Sequence, residues 1–145
     1  MTNLDIFLID YDIYRVNPNW WLEITDIFLK PGLRLRAGFE SDQSNILESF
    51  YFYDSKLKIS QEKYLTNVEA IISKEMIRDF KKNYKVKLGD GMDYYSPFFT
   101  LGIGHQFCSA HHGREIYLTD LNDCELKRVL ELVKPLKKYL KIDFS

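Results

Sequence analysis

The chain is short of the residue types that mark secreted and membrane proteins. Its two cysteines, Cys108 and Cys124, are too few for the disulfide framework of a small secreted domain. No apolar run approaches the roughly 20 residues of a membrane-spanning helix, and no basic segment precedes an apolar run at the N-terminus. We therefore expect a cytoplasmic protein with free thiols that does not associate with membranes.

A strong charge of one sign is also missing, since the formal net charge is −1. This balance excludes a general electrostatic grip on nucleic acid. The charges are nevertheless uneven: residues 1–54 carry nine acidic and four basic side chains, a net −5, whereas residues 55–145 carry a net +4. The acidic part also holds both tryptophans, and aromatic residues beside acidic ones suit a surface that receives a basic partner.

What the chain does have is apolar material for one core. Hydrophobic residues make up 46% of its 145 positions and aromatic residues 15%, and a domain of this length buries roughly two-thirds of its unfolded surface. No repeat, linker or low-complexity tract divides it. Residues 1–145 are therefore predicted to form a single α+β domain, with a mainly antiparallel sheet packed against two or three helices.

Local patterns predict the elements of this domain. Apolar runs and period-two alternation predict strands at 4–9, 33–39, 46–53 and 114–118, the middle two paired as a hairpin. Helical spacing predicts helices at 19–29, at 60–84 with a break near Ser73, and from Thr119 or Asp120 to a stop or kink at Pro135. The apolar stripe of that last helix continues through Leu140. A turn is predicted at 89–91, and short strands and loops at 92–113.

All three histidines and one cysteine fall within eight residues, at His105, Cys108, His111 and His112. Imidazole and thiolate are ligands that zinc accepts together, and an imidazole beside a cysteine can generate a nucleophilic thiolate. A small metal- or cysteine-dependent enzyme centred on residues 105–112 is therefore one alternative. The other is an ordinary structured loop with hydrogen-bonded histidines and a buried, inert thiol, and we expect no cofactor.

Two segments combine aspartate with tyrosine. The predicted partner-binding residues in them are Asp10, Tyr11, Asp12, Tyr14, Asp90, Asp93, Tyr94 and Tyr95. Tyrosine supplies a large contact area with a polar tip, and aspartate steers a basic partner toward it. Tyrosines that pack half-buried beside aspartates that end strands would give the same pattern.

Basic residues are concentrated in two later helical segments. They are Lys74, Arg78, Lys81, Lys82, Lys85, Lys87, Lys127, Arg128, Lys134, Lys137, Lys138 and Lys141. A basic face of this kind can bind phosphates, which makes a nucleic-acid-binding regulatory domain a further alternative. Amphipathic helices also carry lysine simply to remain in water, and the interleaved aromatic and arginine residues that stack bases are not evident here.

No motif of an assembled enzyme is evident: there is no paired-carboxylate motif, serine elbow, complete phosphate loop or two-histidine helix. In size, composition and charge pattern the chain resembles the immunity proteins that bacteria pair with contact-dependent or other polymorphic toxins. The resemblance implies a small cytoplasmic inhibitor that binds a basic toxin domain, such as a nuclease, and masks its active site. Asp10, Asp12, Asp90 or Asp93 would then meet lysine or arginine of the toxin.

Overall fold

The computed structural model describes residues 2–54, 56–88 and 94–145. In chain order the elements are β1 (Thr2–Leu8), α1 (Ile13–Val16), α2 (Trp20–Phe28), β2 (Arg34–Glu40), α3 (Ser44–Tyr53), β3 (Lys58–Gln61), β4 (Leu65–Ile71), α4 (Lys74–Asn83), β5 (Lys87–Leu88), β6 (Tyr94–Tyr95), β7 (Thr100–Ile103), β8 (Phe107–Ala110), β9 (Glu115–Leu121), α5 (Asp123–Val133), a 3-10 helix (Lys134–Tyr139) and β10 (Leu140–Phe144). Among these described residues, the helices are all too short or too polar to span a bilayer.

Eight of the strands form one antiparallel sheet in the order β10-β1-β9-β8-β7-β2-β4-β3, and β5 pairs separately with β6. Side chains alternate between the two faces of such a sheet. In β8, for example, Phe107 and Ser109 are buried while Cys108 between them is exposed. The helices cover the apolar face and the opposite face is open to solvent, so the predicted α+β class is confirmed.

The core joins the helices to the sheet through aromatic side chains. Phe39, Phe50, Phe80, Tyr84 and Phe98 form one cluster with ring centroids 4.9–6.5 Å apart. These rings come from β2, α3, α4 and the segments that follow α4 and β6. The cluster therefore fixes the helices over the β2 side of the sheet.

Several predicted elements are confirmed, but residues 46–53 are helical. The strands at 4–9, 33–39 and 114–118 and the helix at 19–29 are all present. The strand predicted at 46–53 is wrong, because Ile46 and Phe50, one helical turn apart, are the buried residues of α3. The predicted hairpin is absent as a result, and β2 pairs instead with β4 and β7.

The helix predicted from Ser60 is also wrong in its first half. Residues 58–71 contain β3 and β4, in which Thr66, Val68 and Ala70 are buried with period two. Its second half is confirmed, since the hydroxyl of Ser73 accepts a hydrogen bond from the backbone N–H of Met76 and caps α4. The turn predicted at 89–91 lies outside the described residues.

The last helix begins later than predicted, at Asp123. β9 extends to Leu121, and Asn122 then forms a capping box with Glu125, which fixes the first turn of α5. The stop near Pro135 is confirmed, because α5 ends at Val133 and a 3-10 helix follows. The apolar stripe continues through Leu136 and Tyr139, which are buried in this 3-10 helix, but Leu140 begins β10, which pairs with β1.

Glu125 is a buried carboxylate that ties α5 to its surroundings, with 6% of its surface exposed. It accepts hydrogen bonds from the Asn122 backbone and the Gln106 side chain, each at 3.0 Å, and from Lys30 at 3.4 Å. Burial raises the pKa of Glu125, but these donors outweigh burial and hold the pKa below its ordinary value of 4.5. The carboxylate therefore stabilises the fold above that pH, and this contribution is lost as the pH falls through the folded-state pKa.

Glu125→Gln is expected to lower the free energy of unfolding at neutral pH by about 1–3 kcal/mol, because buried donors lose a charged acceptor. The difference from wild type should shrink as the pH falls below 4.5. Urea unfolding over a pH series measures both effects. Glu131→Gln, an exposed change on the same helix, is the control and should alter neither. A difference that does not vary with pH would contradict this role of Glu125.

Candidate functional site

The hairpins of the sheet separate the histidines. His105 lies in the turn between β7 and β8, Cys108 lies within β8, and His111 and His112 lie in the turn between β8 and β9. The four residues of β8 place the two turns roughly 13 Å apart, at opposite ends of the sheet. Across the described residues, no group of three or more His, Cys, Asp or Glu side chains could hold a metal ion. The alternative of one metal site formed by His105, Cys108, His111 and His112 is therefore wrong.

Cys108 is exposed on the open face of the sheet, so the expectation of a buried thiol is also wrong. Partial burial raises the pKa of this thiol, and the charge of Arg36 offsets only part of that effect. A thiol becomes a nucleophile when its pKa is lowered, often by an adjacent imidazole. The described part of the chain contains no hydrogen bond between Cys108 and a histidine, so it shows no assembled cysteine site.

His111 and His112 form a strained turn. Their φ angles are 51° and 58°, and Gly113 follows at 87°, so three successive residues are left-handed. Each non-glycine residue in this region costs about 1–2 kcal/mol. Contacts from the preceding segment hold the turn: Ser96 N–H donates to the His112 carbonyl at 2.7 Å, and His112 N–H donates to the Phe99 carbonyl at 3.2 Å. Strain held in this way is typical of functional sites.

A groove of about 590 Å³ opens beside this turn. It is lined by Glu40, Ser41, Asp42, Lys63, Tyr64, Leu65, Phe99 and His112. Glu40 Oε1 lies 4.0 Å from His112 Nε2. Tyr64 is 70% exposed, and the Lys63 ammonium lies 5.2 Å from the centre of its ring. The groove thus combines carboxylates with aromatic rings, a mixture that accommodates a cationic side chain.

Further carboxylates lie at the same end of the sheet as the groove. Antiparallel pairing brings together here the C-terminal ends of β1, β2 and β3 and the N-terminal ends of β4, β7 and β9. The acidic residues at these strand ends are Asp10, Asp12, Glu40, Asp42, Glu62 and Glu115. We call this surface the acidic end. It also contains basic groups, since Arg15 lies 3.7 Å from Asp12 and His111 pairs with Glu115.

The first predicted aspartate and tyrosine segment lies at the acidic end. Asp10 and Asp12 are exposed directly after β1, and Asp10 Oδ1 accepts a hydrogen bond from the Asp12 backbone N–H at 2.9 Å. Tyr11 is half-buried, but Tyr14 is only 4% exposed and packs on Trp20 with ring centroids 6.1 Å apart. Burial raises the pKa of Tyr14. Tyr14, which was predicted to bind a partner, is therefore a core residue.

The second predicted segment reaches the same end of the sheet. Tyr94 and Tyr95 form β6, and the next residue, Ser96, is hydrogen-bonded to His112 in the strained turn. Asp90 and Asp93 lie outside the described residues. The fold therefore places the described parts of both predicted segments near one surface.

The groove itself was not among the predicted residues. Glu40 and Asp42 lie between the strands predicted at 33–39 and 46–53, and Tyr64 lies in a segment that was predicted to be helical. One local signal for the position of Tyr64 was present in the sequence. Thr66, Val68 and Ala70 alternate with period two, which indicates a strand that begins next to Tyr64. Tyr64 lies beside Ser41, whose backbone N–H donates to the Tyr64 carbonyl, and this position depends on the pairing of β2 with β4, which no local pattern specifies.

The Asp10–Asp12 corner and the groove are close enough together for a single protein partner to cover both. Asp10 follows β1 and the groove lies beside β2, four strand steps away in the sheet order, which is about 19 Å. A standard protein interface covers about 800 Å² on each partner, a patch roughly 30 Å across. The Asp10–Asp12 corner and the groove therefore fit within one interface.

Some of the basic side chains on the helices lie beside carboxylates. Lys81 lies 3.9 Å from Asp26 of α2, and Arg78 lies 3.2 Å from Asp79. A groove between the helices contains Glu23 and Glu131 beside Lys81 and Arg128. At these positions a carboxylate offsets the positive charge that would attract a phosphate.

Comparison of the chain with protein-family models, curated proteins and solved structures found no match. Its function is therefore inferred from the geometry and charge of the acidic end.

Proposed function

We propose that the chain is a protein-recognition domain that binds a basic partner at its acidic end. We propose further that it is an immunity protein, which neutralises a cognate toxin domain such as a nuclease by masking the toxin's active site. The observation that carries the proposal is the placement of exposed carboxylates and an aromatic-lined groove at one end of the sheet. In this reading the helices and core serve to hold that end in shape.

The charges at the acidic end are complementary to those on the surface of a nuclease. A protein that cleaves nucleic acid binds phosphates through lysine and arginine. An opposing surface with Asp10, Asp12, Glu40 and Asp42 would accelerate encounter with those cations, because complementary potentials raise association rates. While this inhibitor is bound, the same lysine and arginine side chains of the nuclease could no longer bind a phosphate backbone.

The groove supplies the anchor of the proposed complex. An arginine of the partner would take the place of the Lys63 ammonium over the ring of Tyr64, with its guanidinium beside the carboxylates of Glu40 and Asp42. Arginine and aromatic pairs of this kind are frequent energetic centres of interfaces. The strained turn, fixed by Ser96 and Phe99, keeps one wall in place before binding, which reduces the entropy lost on association.

The proposal predicts that a basic protein co-purifies with the tagged chain from its own cells at near-equal stoichiometry. The test variant carries Asp10→Asn, Asp12→Asn, Glu40→Gln and Asp42→Asn. A matched control removes the same charge elsewhere, through Glu48→Gln, Glu75→Gln, Asp123→Asn and Glu131→Gln, all exposed positions. Mass spectrometry identifies and quantifies the captured chains.

We expect the test variant to lose the captured protein and the control to retain it. With the isolated partner, the association rate at low salt should fall roughly tenfold or more in the test variant, and added salt should slow the wild type toward the same value. Equal capture by both variants would refute binding at the acidic end. Capture of nothing by the wild type would count against a dedicated partner altogether.

A further inference from the structure

The outer edge of β10 has the geometry and the sequence to pair with a second copy of itself. We infer that two copies of this chain associate by antiparallel pairing of β10 across a two-fold axis at Ile142, which joins their sheets into one. This edge lies on the opposite side of β1, β9, β8 and β7 from the groove, and its pairing does not require the basic partner.

The backbone of β10 is arranged to accept another strand. β10 is the first strand in the order of the described sheet, with β1 on one side. Asn3 and Ser145 exchange both backbone hydrogen bonds, at 3.3 and 3.1 Å. Because hydrogen-bonding direction alternates along an antiparallel strand, Asp143 and Lys141 also face β1, while Ile142 and Phe144 direct their N–H and C=O groups outward. Such an edge is a template for another strand.

The sequence of β10 is complementary to itself in this register. With Ile142 at the axis, Lys141 lies opposite Asp143 of the second copy and Asp143 lies opposite its Lys141. Leu140 likewise lies opposite Phe144. Directly opposed residues of an antiparallel pair are close enough for ion pairing and apolar contact. A pattern of apolar, basic, apolar, acidic and apolar residues therefore gives two ion pairs on the open face and apolar contacts on the other.

The charge neighbourhood within one copy supports the second copy as the occupant. Asp143 lies directly opposite Asp5 of β1, so two carboxylates are neighbours on the open face. Lys141 Nζ reaches Asp143 Oδ2 only from two residues along the same strand, at 3.7 Å. Like charges directly opposed destabilise a strand pair. Lys141 of a second copy would approach Asp143 from the side away from Asp5 and balance this pair.

The apolar face of β10 also gains from a second copy. Phe144 is 60% exposed, and a groove of about 440 Å³ runs between β10 and the end of α5, lined in part by Leu130, Leu140 and Ile142. Pairing about Ile142 brings Phe144 of the second copy opposite Leu140, at the mouth of this groove. The interface is small, so we expect a concentration-dependent dimer with a dissociation constant in the micromolar range.

Analytical ultracentrifugation of the intact chain over a micromolar concentration series at low salt tests this inference. The wild type should shift from monomer to dimer mass as its concentration rises. Lys141→Asp and Asp143→Lys should each raise the dimer dissociation constant roughly tenfold or more, because each change replaces two attractive pairs by two repulsive ones. Lys74→Asp, the same charge change on exposed α4, should leave the dimer unaffected.

An equimolar mixture of the two single variants is the decisive sample. In the mixed dimer, both acidic positions of one copy meet both basic positions of the other, so association should return as a heterodimer. That recovery also shows that neither change damaged the fold. A wild type that stays monomeric at every concentration would overturn the inference. So would a dimer that both single changes leave unaffected, or a mixture that fails to associate.

Discussion

Trp21→Ala is expected to lower the free energy of unfolding by about 3–5 kcal/mol, the largest effect of any change considered for this chain. Trp21 is fully buried in α2, and its indole Nε1–H donates to Ser109 Oγ of β8 at 2.9 Å. The truncation leaves a large cavity under the middle of the sheet. It also removes the indole N–H that donates a hydrogen bond to the buried hydroxyl of Ser109. Since domains of this size are stable by about 5–15 kcal/mol, the loss is a large share of the total. Urea unfolding followed by circular dichroism measures it.

A double-mutant cycle separates the hydrogen bond from the packing. Trp21→Phe removes ring volume and leaves the Ser109 hydroxyl without its donor, and Ser109→Ala leaves the Trp21 indole N–H without its acceptor. Each change should lower the free energy of unfolding by about 1–3 kcal/mol. The double variant should cost less than the sum by about 1 kcal/mol, since neither polar atom is then left unpaired. Strictly additive losses would contradict an energetic link between α2 and β8 through this bond.

Gly113→Ala is expected to cost about 2–4 kcal/mol, for two separable reasons. Gly113 has φ 87°, where an L-residue is strained, and an added Cβ would lie 3.1 Å from the Ser96 Cβ and from Cδ1 and Nε1 of Trp21. Gly32 is a matched control with φ 88° and no atom within 4 Å of an added Cβ. Gly32→Ala should therefore cost only the conformational part, about 1–2 kcal/mol.

The difference between these two glycine variants measures crowding at the strained turn. Because Gly113 completes the turn of His111 and His112 beside the groove, Gly113→Ala should also weaken capture of the basic partner. Gly32→Ala lies in the turn before β2, at the other end of that strand from Glu40, and should leave capture unchanged. Equal stability losses at the two glycines would contradict the close packing of Gly113 against Trp21.

Patterns that extend over one element predicted the structure well. The alternation at 33–39, the apolar spacing at 19–29, the cap at Ser73 and the stop near Pro135 each depend on local chemistry, and each is present. The failures at 46–53 and 60–71 have one cause. Aromatic β-formers occupy the exposed side of α3, while Leu65, Val68 and Ile71 of β4 fall at helical spacing, so tertiary packing overrode local preference.

The candidate site was predicted only where its residues are local in sequence. Asp10 and Asp12, predicted as partner-binding residues, follow β1 directly and are exposed. The groove joins residues near positions 40, 64, 99 and 112, which meet only because of strand pairing. The concentration of histidines in the sequence was misleading for the same reason, since a hairpin strand carries His105 away from His111.

Neutralisation of the captured basic protein tests the central proposal most directly. The nucleic-acid cleavage by that protein is measured as this chain is added in increasing amounts, with the wild type and the four-site variant at Asp10, Asp12, Glu40 and Asp42 compared side by side. We expect cleavage to fall to background at one equivalent of wild type and to persist with the variant. Cleavage that continues at a saturating excess of wild type, with the complex formed, would contradict the proposal that this chain masks a toxin's active site.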